Sequence, residues 1–71
     1  MNIPKLNLTV NGETRALEGV ADIASLVARL GLDSRKVAVE KNLEIVPRSA
    51  FGATALAEGD RIEIVHFIGG G

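Results

Sequence analysis

The chain has 71 residues, 46% hydrophobic and 24% charged, with Lys+Arg 8 against Asp+Glu 9 and a net charge of -1. That is one small domain, and with no cysteine and one histidine it excludes disulfide staples, thiolate zinc sites, thiol chemistry and His-based metal clusters or catalytic His pairs within the chain. The lack of a basic excess argues against nucleic acid, no apolar run approaches the ~20 residues of a membrane span, and the opening Met1-Asn2-Ile3-Pro4-Lys5 has no apolar signal-peptide core, so a soluble cytoplasmic domain is the expectation.

In chain order, residues 5–10 alternate, with Leu6, Leu8 and Val10 on one side and Lys5, Asn7 and Thr9 on the other, which predicts a strand with one buried face. Asn11-Gly12 predicts a type I′ hairpin turn, because both residues tolerate positive φ; residues 13–17 form the returning strand, ended by Glu18-Gly19. Asp22 reads as a helix N-cap. Ile23, Leu26, Val27 and Leu30 fall on one face of a short helix, Gly31 sits at the C′ position and Leu32 covers the end. Residues 37–41 and 44–46 are two further strands, the second stopped by Pro47, with Asn42-Leu43 turning between them. Residues 48–58 are irregular, anchored by Phe51 and Leu56. Gly59-Asp60 is a turn, and residues 61–67 are the last strand. The order β-β-α-β-β-β predicts an α+β fold: one mixed sheet, its last strand beside its first, packed on one helix. The helix face should meet Leu6, Leu8, Val39, Ile62 and Ile64.

In the last strand Ile62 and Ile64 point one way and Glu63, Val65 and Phe67 the other. With the isoleucines in the core, Val65 and Phe67 are either covered by residues 48–58 or form an exposed docking patch.

No catalytic constellation is present. Ser25, Ser34 and Ser49 lack a nucleophile-elbow context, His66 reads as a strand-end histidine, and the acidic residues are scattered. Asn7-Leu8-Thr9 matches a glycosylation sequon inside a strand, without a secretion signal. Gly69-Gly70-Gly71 has no following helix with which to cradle a phosphate. The remaining reactive group is the carboxylate of Gly71, whose pKa near 3.5 keeps it ionised at pH 7. A carboxylate attacks activated phosphorus, and the acyl-adenylate so formed is open to sulfur or nitrogen. Glycines give such a tail a thin, pliable entry into a narrow cleft, against the alternative of a frayed end.

Six segments form a recognisable set: Val10-Asn11-Gly12-Glu13, Leu30-Gly31-Leu32, Val37-Ala38-Val39-Glu40, Glu44-Ile45-Val46-Pro47-Arg48-Ser49, Gly59-Asp60-Arg61 with Glu63-Ile64-Val65, and the glycine end. In them the chain resembles the ubiquitin-like β-grasp sulfur carriers, and within these the ThiS-type carriers of thiamine thiazole biosynthesis. The resemblance implies a β-grasp domain at residues 1–68 and a flexible tail at 69–71, with Gly69 and Gly70 as tail and Gly71 as the site of adenylation and thiocarboxylate formation. Val65, Phe67 and Ile68 are then the docking residues. The implied partners are a ubiquitin-activating-type adenylyltransferase that uses ATP, sulfur from cysteine through a desulfurase, and thiazole synthase. No cofactor or metal is bound, and the chain is a co-substrate rather than an enzyme. One departure is Asn42-Leu43, where the family usually has Asn-Gly: leucine disfavours positive φ, so a looser turn or one of another type is expected. Two alternatives stand beside this: the small subunit of molybdopterin synthase, with the same thiocarboxylate chemistry, and a non-carrier β-grasp interaction module.

Overall fold

The computed structural model describes residues 5–67. Strand β1 (Lys5–Val10) turns through Asn11 and Gly12 into β2 (Glu13–Glu18), in antiparallel register from Lys5↔Glu18 to Val10↔Glu13. Both turn residues have positive φ, 50° and 83°, as a type I′ turn requires. Helix α1 (Ile23–Arg29) begins in a reciprocal cap. The Asp22 carboxylate accepts from the Ser25 N–H at 2.8 Å, while Ser25 Oγ accepts from the Asp22 N–H at 3.1 Å, so two otherwise unpaired donors are satisfied at once. At the other end Gly31 lies at φ 75°. Its N–H donates to Ala28 O and that of Leu32 to Val27 O, 3.0 and 3.1 Å, which is a Schellman closure.

A short 3₁₀ turn (Ser34–Lys36) leads into β3 (Val37–Lys41), which pairs antiparallel with β4 (Glu44–Val46). The turn between them corrects the sequence expectation. It is no looser than the first: Asn42 and Leu43 have φ of 50° and 71°, so leucine occupies the left-handed position itself, at a cost of roughly 1–2 kcal/mol. Pro47 ends β4, and Arg48–Ala53 form a 3₁₀ helix within the stretch expected to be irregular. Arg48 ties this helix back to the turn before β3, its guanidinium donating to Ser34 O and Arg35 O at 3.1 and 3.0 Å. Strand β5 (Arg61–His66) closes the fold, one residue shorter than expected.

The sheet order is β2-β1-β5-β3-β4. β5 lies parallel to β1 and antiparallel to β3, so the sheet is mixed and its last strand in sequence is its middle one. One face carries the core. Leu8, Val10, Leu17, Val39, Ile62 and Ile64 are buried there with Ile23, Leu26 and Val27 of α1, while Leu6 and Leu30 are partly buried at its margin. Phe51 is buried and Leu56 packs against the same cluster, so both expected anchors hold. Residues 48–58 cover this side of the molecule: Ile23 N–H donates to Thr54 O, Leu56 N–H to Ala21 O, and Asp22 bridges Ala55. The opposite face of the sheet is open. The expected boundary between domain and tail, at 68/69, lies outside the described residues.

Candidate functional site

The candidate site is built around β5, which is central in the sheet and precedes residues 68–71 in sequence. The flanking turns hold its start and its middle. Asn11 Oδ1 accepts from the Ile64 N–H at 2.7 Å and Asn11 Nδ2 donates to Ile64 O at 3.1 Å. Asn42 Oδ1 accepts from the Arg61 N–H at 2.9 Å, and Asn42 Nδ2 donates to the carboxylate of Asp60 at 3.1 Å. Asp60 is buried; its second oxygen accepts from the Ala57 N–H at 2.8 Å and lies 3.8 Å from Lys41 Nζ. A buried carboxylate needs such partners. Past the strand, Phe67 N–H donates to Lys36 O at 2.7 Å, extending the pairing with the chain before β3 and fixing the last described residue at the rim of the sheet.

Val65 and Phe67 stand on the open face, 60% and 48% exposed. The alternative that residues 48–58 cover them is overturned, because that segment packs on the α1 side. Ile68, Gly69, Gly70 and Gly71 lie outside the described residues. Two apolar residues that sequence reasoning missed are more exposed still: Leu43 and Ile45, each 79%. Ile45 was legible in the adjacent pair Ile45-Val46, whose members must face opposite ways in a strand. Leu43 could not be placed before the turn type was known. Across this face Glu40 of β3 stands opposite Ile45 on one side and Glu63 on the other, and Ala38 stands opposite Val65.

On the α1 side the seven-residue helix is too short to cover the whole sheet. The end left bare is a cleft of about 450 Å³, walled by Arg15, Arg29 and His66 over Val10, Ile64 and Leu32. His66 is thus an exposed strand-end side chain, as expected. Among the described residues no group of three or more His, Asp or Glu could hold a metal ion. No helix among them is long and apolar enough to cross a membrane.

Compared with known proteins, residues 8–71 match the profile of the ThiS family. A thiazole synthase of Paramagnetospirillum magneticum is 52% identical over 66 residues, which is 93% of this chain and 20% of that protein. A second thiazole synthase, from Magnetococcus marinus, is 44% identical over the same share. The chain therefore spans about a fifth of the length of these two relatives. The sulfur carrier protein ThiS of Bacillus subtilis is 37% identical over 90% of this chain and 98% of its own length. Among solved structures, the thiamine biosynthesis protein ThiS of Geobacter metallireducens superposes with a TM-score of 0.78 at 38% identity, covering 93% of this chain and all of that one.

Proposed function

The chain belongs to the ThiS family, and from that premise we propose that it is a sulfur carrier for thiamine biosynthesis, working from its glycine run. In a chain ending at Gly71 the terminal carboxylate attacks the α-phosphorus of ATP on a ubiquitin-activating-type adenylyltransferase. Pyrophosphate leaves and an acyl-adenylate forms. A desulfurase takes sulfur from cysteine as an enzyme-bound persulfide, whose outer sulfur attacks the acyl carbon and displaces AMP. A thiol then reduces the resulting acyl disulfide, leaving the C-terminus as a thiocarboxylate and the thiol in a disulfide with the sulfur donor. Thiazole synthase takes that sulfur into the thiazole ring. Catalysis belongs to the partners; this chain is their co-substrate, with no resident cofactor and a cytoplasmic location.

The observation that carries the proposal is a family match that runs through Gly69, Gly70 and Gly71. It favours the thiazole branch over the molybdopterin alternative and over an interaction module without carrier chemistry. Relatives in which a segment like this one makes up a fifth of a thiazole synthase support that enzyme as the acceptor. The fold suits the role, since Val65 and Phe67 stand exposed on the open face at the end of central β5, a few positions before the run in sequence; with Ile68 they make up the proposed docking stretch.

The test is the mass of the chain after incubation with the adenylyltransferase, ATP, the desulfurase and cysteine. Replacement of one oxygen by sulfur at Gly71, dependent on ATP, is expected; an unchanged mass overturns the proposal. Gly70→Val adds a β-branched side chain where the cleft must close around the backbone. It should lower ATP–pyrophosphate exchange by about 10²-fold, the effect of misplacing a reacting group by ~1 Å, and leave the thermal melt unchanged.

A further inference from the structure

Arg15 stands on the core side of the sheet. It is paired with Leu8 of β1, which is buried, and directly opposed residues share a face. Glu13, opposite Val10, shares it too. Both are exposed nonetheless, because α1 does not reach this end of the sheet. Arg29, the last residue of α1, and His66, the last of β5, line the same cleft of about 450 Å³. Among the described residues neither arginine forms an ion pair, so two guanidiniums stand there against the one carboxylate of Glu13. Leu30 and Leu32, which also line the cleft, are only partly buried.

Each charge alone has a local explanation. Inward-pointing charges on an edge strand such as β2 discourage pairing with another chain, and a cation at a helix C-terminus meets its partial negative charge. Neither explains why cations from two elements converge where apolar side chains are left uncovered. A cleft of this volume lies in the range of ligand sites. Its combination of apolar surface and positive charge fits an occupant with an apolar side chain and a carboxylate close behind it.

The chain itself supplies such an occupant. Along β5 the even positions face α1: Ile62 and Ile64 are buried and His66 lines the cleft. The next position in this alternation is Ile68, and three glycines then lead to the carboxylate of a chain ending at Gly71. The Phe67 N–H is held by Lys36 O. Four residues beyond it span up to roughly 14 Å, enough to cross the cleft, and glycine permits the reversal that crossing requires. We propose that the cleft receives the chain's own C-terminus, with Ile68 on Leu30 and Leu32 and the Gly71 carboxylate between Arg15 and Arg29. The proposal rests on the carrier reading for a free carboxylate at Gly71, and it gives the carrier a resting state. The reactive end is held on the α1 side, and the activating enzyme must draw it out before adenylation. Its apparent affinity for the chain is then reduced by the fraction already withdrawn.

The test is NMR spectroscopy of the isotope-labelled chain without partners, compared with Arg15→Gln/Arg29→Gln and with the chain amidated at Gly71. Amidation removes the anion and leaves every described residue in place. In the wild type, Overhauser contacts from the Ile68 methyls to Leu32 are expected, and both changes should weaken them and shift the Gly71 amide signal. With the adenylyltransferase at limiting chain concentration, the double variant should undergo ATP–pyrophosphate exchange about threefold faster, the scale of an exposed charge contact. No Ile68–Leu32 contact in the wild type, or contacts unmoved by both changes, overturns the proposal and leaves the carrier role standing. Contacts that appear only as concentration rises assign the cleft to the terminus of a second copy and likewise overturn it. Exchange no faster in the double variant overturns the resting state. A wild type that shows the contacts but no exchange removes the carrier reading and leaves the docking of the terminus intact.

Discussion

At Asn11 and Asn42 one amide side chain serves as donor and acceptor together. Asn11 pairs with both polar groups of the Ile64 backbone, while Asn42 accepts from Arg61 and donates to buried Asp60. Aspartate tolerates the same positive φ but offers only acceptors, which explains asparagine in both turns. The residue after Asn42 has no such compensation. Leu43 holds φ at 71° with its side chain 79% exposed, so it is strained without being buried. Leu43→Gly should therefore raise stability by about 0.5–1 kcal/mol, the relieved left-handed cost exceeding the added freedom of the unfolded chain; urea denaturation measures it. Glu58 gives the fold a pH dependence. Its carboxylate accepts from the backbone N–H of Asn7 at 2.9 Å and from Asn7 Nδ2 at 2.8 Å, and these bonds, the backbone one foremost, hold its pKa below the usual 4.5. A group whose pKa is lowered by folding stabilises fully above its unfolded value and loses that contribution as pH falls. Glu58→Gln should flatten the loss of stability below pH 4.5, read from urea midpoints across the acid range.

Among the elements, α1 shows how few contacts hold a small fold. An isolated helix of seven residues has no stability of its own in water. It persists through the Asp22–Ser25 cap, the Schellman closure and the burial of Ile23, Leu26 and Val27. Leu26→Ala should cost roughly 2–5 kcal/mol, a large share of the stability of so small a domain, and its chemical denaturation midpoint should fall accordingly; a wild-type midpoint would place the helix face elsewhere. This helix and the strands were legible because alternation, the 3.6-residue period, Asn-Gly and the caps are all local signals. The 3₁₀ helix at Arg48–Ala53 was not. It has no period of its own, and the stretch it begins takes its shape from distant partners, through Arg48 to Ser34 and Arg35, Thr54 to Ile23 and Leu56 to Ala21. The site divides in the same way. The phase of β5 gave Val65 and Phe67, whereas the confrontation of Glu40 with Glu63 is a matter of register between strands 23 positions apart, which no local pattern encodes.

In the whole molecule the two hairpins, β1–β2 and β3–β4, belong to one sheet only through β5. Without β5 each is an isolated two-stranded ribbon, marginal in water, and Ile62 and Ile64 are missing from the core. A chain stopped at residue 60 should show no cooperative thermal transition by circular dichroism, whereas one stopped at residue 68 should melt like the full chain. Such dependence couples integrity to competence. A ribosome cannot release a finished sheet until the strand that precedes the glycine run has emerged, and a protease that cuts before β5 dissolves the open face of the sheet and removes the glycine run with it. A copy cut there should thus be an unfolded chain, and on the proposed carrier role it leaves no folded decoy to compete for the proposed partner enzymes.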